Sequence, residues 1–216
     1  MPLVSSAPVP QPSQRPAASR LCAALPAAML LLAGCQPPRP ALFDPDALRA
    51  GKRIVVLPLA DAPGQEAQGS GKVVAGVVAA ELVHMGYHDV LNVSPAALDA
   101  ALRRAGHAPS DVYDPTVAAE LARDLGADVT VTGELLHYGT QREQNASKII
   151  LLAGSGQTRT THWVSLGLRI VPAGEPRVIY AGAGTAGAAE GYNPAAREAC
   201  RQALAALKRF LDRQKR

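Results

Sequence analysis

Cys35 carries the clearest chemistry in this chain. It closes Leu32-Ala33-Gly34-Cys35, at the end of an uncharged apolar run from Leu21 to Ala33. Its thiol can take a diacylglyceryl group as a thioether, and the small pair Ala33-Gly34 leaves the backbone open to a peptidase cutting between Gly34 and Cys35. The run of 13 residues suits the core of a signal peptide and is too short for a permanent transmembrane helix. Arg15 and Arg20 supply the positive flank ahead of it, and Pro37, Pro38 and Pro40 prevent a helix from continuing past it. Cys22 is not a competing site, because the bulky pair Arg20-Leu21 precedes it.

Other motifs offer chemistry that their surroundings do not complete. Gly69-Ser70-Gly71-Lys72 lies where a phosphate-binding loop would lie, between a strand and a helix. That loop needs glycine where Glu66 stands and a magnesium-ligating hydroxyl where Val73 stands. A weakly held anion at the helix N-terminus is the most it could support. Gly182 to Gly187, GAGTAG, has the spacing of a dinucleotide-binding turn. It lacks the immediate helix and the following acidic strand that such a site requires, so small residues for close packing or a strand end are the expectation.

His84 and His88 are separated by the helix-to-strand break expected at Gly86, His107, His137 and His162 are scattered singles, and no Cys/His group has zinc spacing. Cys200 falls on the apolar stripe of the last helix, where a thiol packs as a small hydrophobe. The acids Asp61, Glu66, Asp89, Asp111, Asp114 and Glu134 include no pair spaced for acid/base work. The expectation is a non-enzymatic protein with no catalytic residue, no metal and no cofactor.

Composition limits the partners. Removal of residues 1–34 takes away Arg15 and Arg20 and no acid, leaving 20 cations and 18 acids. A nearly neutral chain with 4% aromatic residues has little counterion-release affinity for nucleic acid and few stacking platforms. About 180 residues remain, enough for one well-cored domain. Cys200 is then the single free cysteine, which excludes a disulfide within the mature chain.

The elements that would position these residues read in order. Residues 35–52 form a lipidated cysteine and a proline-rich tether reaching about 60 Å at most. Arg53–Asp61 is a β-branched strand, and Lys72–Met85 a helix with Val73, Val74, Val77, Val78, Leu82 and Met85 inward. His88–Val93 is a strand; Ser94-Pro95 and Asp114-Pro115 each open a helix, closed by Gly106 and Gly126. Asp128–Tyr138 is a strand, Lys148–Ala153 and Thr160–Val171 a hairpin, Arg177–Gly182 a last strand, and Ala195–Arg213 an amphipathic helix. The class is α/β: a signal peptide over 1–34, the tether over 35–52, and over 53–216 one layered domain whose mixed sheet is flanked by helices.

The LAGC motif resembles a bacterial lipobox, and Gln36 after the cysteine is similar to the signal of outer-membrane rather than inner-membrane lipoproteins. The stretches RIVVLPLAD, KVVAGVVAAELVHMGYHDVLNVS, AAELARDLGADVTVTGELLHYG and VSLGLRIV, with the C-terminal helix, resemble a periplasmic domain. It is the one shared by the curli-export lipoprotein CsgG, the N-terminal domain of TolB and the penicillin-binding-protein activator LpoB. That resemblance implies an outer-membrane lipoprotein facing the periplasm. It also implies a binding and assembly role in export or peptidoglycan synthesis, an envelope protein partner and a capacity for homo-oligomers. The alternative is a secretion-channel subunit of the CsgG type, for which Gly139–Thr160 is the one segment long enough to insert in a membrane.

Overall fold

The computed structural model describes residues 42–64, 67–145 and 157–214. Six strands form one mixed sheet in the order β1-β6-β5-β4-β2-β3. In chain order the elements are β1 (Leu42–Phe43), α1 (Pro45–Ala50), β2 (Arg53–Val56), α2 (Ser70–His84), β3 (Asp89–Asn92) and α3 (Pro95–Ala105). A 3-10 helix (Pro109–Tyr113) follows, then α4 (Pro115–Asp124), β4 (Val129–Asn145), β5 (Gln157–Pro172), β6 (Tyr180–Ala188), α5 (Tyr192–Ala203) and α6 (Ala205–Gln214). β2 pairs in parallel with both β3 and β4, as helical crossovers require, and β4, β5, β6 and β1 pair antiparallel.

The sheet has two differently covered sides. On the front, α2, α5 and α6 pack over Ile54, Val56, Val131, Leu166, Leu168 and Tyr180. On the back, α3 and α4 cover only Val55, Leu57 and their surroundings, burying Leu98, Leu102, Val117 and Leu121. Proline at the first turn and a side-chain cap start three helices in the same way. Asp44, Ser94 and Asp114 accept hydrogen bonds from the opening amides of α1, α3 and α4. Asp128 ties the two parallel strands at their base, accepting from the Lys52 and Arg53 amides at 2.8 and 2.9 Å.

Several boundaries differ from the sequence reading. The tether expected over 35–52 contains β1, which pairs with β6, and α1, whose Leu48 is buried in the front core. The folded body therefore starts by Leu42. Val73, expected inward, points to solvent, because the buried stripe of α2 runs through Val74, Ala75, Val78 and Leu82, and its neighbour is turned some 100° away. β5 pairs with an extended β4 as far as Asn145↔Gln157; Lys148–Ala153, read as its partner strand, lies outside the described residues. The last strand begins at Tyr180, so the glycine-rich run is inside it. The terminal helix is divided at Leu204, although Leu204 and Lys208 still donate to Cys200 and Leu204 oxygens across the junction.

Candidate partner-binding face

α2 is apolar all round. Between Lys72 and Glu81 it has no charged residue. Val74, Val78 and Leu82 fill the front core, while Val73 and Val83 on the outer side are 63% and 52% exposed. A helix of this composition is ordinarily buried on every side. Val73, Gly76, Val77, Ala80 and Val83 stand at i, i+3, i+4, i+7 and i+10, making one uncharged outer stripe.

Two grooves flank that stripe where α2 runs beside the C-terminal helices. One, of about 440 Å³, has Met85, Leu204 and Ala205 in its lining, with Arg201, Lys208 and Arg209 around them. The other, of about 420 Å³, lies at the start of α2 against Tyr138, Tyr192, Ala196 and Arg197. Tyr138 and Tyr192 stack at 4.1 Å with their planes 13° apart, and the Thr140 hydroxyl meets that of Tyr192 at 2.8 Å. This aromatic block fixes the start of α5 to the long hairpin. Within the first groove, Arg201 Nε donates to the carboxylate of the buried Glu81 at 3.2 Å and so neutralises the one acid of α2.

The motifs that invited catalysis have structural employment. Asp61 accepts from the Gly69 amide at 2.8 Å and the Gly71 amide at 2.6 Å, so the anion position at the start of α2 is filled from within the chain. A Cβ on Gly71 would lie 1.9 Å from the Leu59 carbonyl oxygen, so this glycine lets the helix start meet the end of the β2 segment. In β6, a Cβ on Gly184 would lie 2.0 Å from the Ala199 oxygen, so the GAGTAG run seats α5 directly on the strand. Burial, helped by the Glu81 charge, pushes the Cys200 thiol up to about 12, which suits packing and opposes nucleophilic attack.

His84 ends α2 and His88 precedes β3. Among the described residues no three of His, Cys, Asp and Glu gather as a metal-binding group, and no helix is long and apolar enough to cross a membrane. Gly34 and Cys35 lie outside the described residues. The outer face of α2 was missed in the sequence, although the uncharged stretch Val73–Ala80 signalled it: pairs of valines supplied both a buried stripe and an exposed one.

The arrangement is an α/β domain that presents an apolar helical face instead of a polar cavity. The chain matches no protein-family model, and no curated protein matches it by sequence. Its fold is similar to that of PelC from Paraburkholderia phytofirmans, solved as a dodecamer. The two are 16% identical, with a TM-score of 0.53 over 79% of this chain and 95% of that one. Lipoprotein GNA1162 from Neisseria meningitidis is 19% identical, with a TM-score of 0.41 over 63% of this chain and 82% of its own. The C-terminal domain of LpoB from Escherichia coli is 15% identical, with a TM-score of 0.37 over 62% and 82%. The last two overlap too loosely to carry an argument.

Proposed function

We propose that this chain is a lipid-anchored accessory protein of the bacterial cell envelope, acting by binding and self-association without a catalytic step of its own. The observation that carries this reading is the apolar outer face of α2, left uncovered among the described residues, in a domain whose glycine-rich motifs serve packing and whose helix N-terminus is occupied by Asp61. Cys35 is the acylated residue and Gly34-Cys35 the cleavage point. Gln36 favours the outer membrane, with the domain on the periplasmic side. The likeness of fold to PelC, a dodecamer, supports self-association. The partners are outer-membrane lipid, further copies of the chain and an envelope protein. The channel alternative draws less support, because the described part of the projecting hairpin, Thr140 to Glu143, is polar and exposed and lacks the alternation of a lipid-facing strand.

Fractionation of cells carrying Cys35→Ala tests the anchor. The wild-type chain is expected in the outer-membrane fraction, and the variant in the soluble periplasm with an unchanged circular dichroism spectrum. A variant retained in the membrane as fully as the wild type overturns the reading.

A further inference from the structure

We infer that the outer face of α2 receives a second copy of this chain, which presents the opposite side of its sheet. The inference rests on the self-association proposed above and assigns the surfaces that make it. The stripe Val73, Gly76, Val77, Ala80 and Val83 has no polar group to keep it in water, and its partner must bring apolar surface. That partner must also bring acids, because α5 and α6 place Arg197, Lys208 and Arg209 in the grooves beside the stripe, where the one acid outside the Glu81–Arg201 pair is Asp212, and none of these three cations has an ionic partner among the described residues.

The chain carries the matching surface on its own back. Leu135 and Tyr138 both pack on the front core across a bulge, which turns Leu136 backward at 55% exposure. α4 reaches only the C-terminal end of β5 on this side; beyond it no described helix covers β5 and β6, where Ser165, Gly167, Ala183 and Thr185 form a surface of small residues on which a helix can lie closely.

The charges agree with this pairing. The front helices α2, α5 and α6 carry six cations against three acids, whereas the back helices between Pro95 and Asp124 carry five acids, Asp99 and Asp124 exposed among them, against three cations. Two fronts meeting would oppose like charges; front on back joins unlike ones. Such a contact is heterologous, so every copy keeps one free surface of each kind and assembly continues until the rotation closes a ring.

Light scattering coupled to size exclusion, on the mature full chain in mild detergent, tests the surfaces with two double variants. Val73→Asp/Val83→Asp blocks the front and Asp99→Lys/Asp124→Lys blocks the back; all four residues are exposed, and circular dichroism checks the fold. Each variant alone is expected at the mass of one copy. Their equimolar mixture is expected at two copies, since the intact back of the first fits the intact front of the second. A mixture that stays at one copy overturns front-to-back contact. A wild-type oligomer that persists in both variants overturns the interface and leaves self-association standing, whereas a wild-type mass of one copy overturns both.

Discussion

Single side chains here do structural work that chemistry-bearing types often disguise. Asp61 replaces the anion that a glycine-rich loop would otherwise bind, closing two amides at the start of α2. Asp61→Ala leaves those donors without their acceptor, and a loss of about 1–2 kcal/mol is expected, read as a fall of roughly 2–8 °C in Tm. Cys200 illustrates the same point: with its thiol held up to about 12 by burial, it is expected to resist a maleimide at pH 8 in the folded protein and to react in denaturant. With Cys35 acylated, the mature chain then yields no thiol when native and one when unfolded. Rapid native labelling would contradict the packing.

Asp128 sets the pH response at this scale. Hydrogen bonds from the Arg53 and Lys52 amides, with weaker attraction from their charges, lower its pKa below the ordinary carboxylate value. A depressed carboxyl stabilises the fold above its unfolded pKa of about 4 and loses that contribution as pH falls through the folded value. Denaturant titrations are expected to show stability declining below about pH 4 in the wild type and a shallower acid-side slope in Asp128→Asn. An unchanged slope would place the acid sensitivity elsewhere.

Elements were legible where local chemistry alone defines them. Ser94-Pro95 and Asp114-Pro115 announced α3 and α4, and the structure confirms the caps. The same signature at Asp44-Pro45 opens α1, but α1 spans six residues and β1 two, too little periodicity to emerge from a proline-rich segment. Both owe their existence to tertiary contacts: the Asp44 amide donates to the Ile179 oxygen at 2.8 Å, and Phe43 meets Tyr180 and Phe210 edge-on. GAGTAG could be read as a strand end or a close contact, and only the neighbouring helix decides between them. Gly184→Val forces a side chain into the Ala199 carbonyl. The expected loss is about 1–3 kcal/mol or more, because α5 must lift from β6, with a correspondingly lower denaturation midpoint. A variant as stable as the wild type would mean that the α5–β6 contact is not tight.

At the scale of the whole molecule, the folded body beginning by Leu42 leaves six residues, 36–41, between Cys35 and β1. Fully extended they reach about 20 Å, a third of the span expected when the tether was read to residue 52. On the acylation proposed for Cys35, the body would lie within that span of its membrane. The anchor is proposed from the sequence alone, because a lipobox is a local pattern. The sequence did not make the partner face legible, because exposure of one valine stripe and burial of another depends on where α5 and α6 settle. Intact-mass spectrometry of the membrane-extracted protein tests the anchored reading most directly. The expected mass is that of a chain beginning at Cys35 and carrying acyl groups on that residue; a chain still bearing residues 1–34, or one beginning at Cys35 with a free thiol, would contradict it.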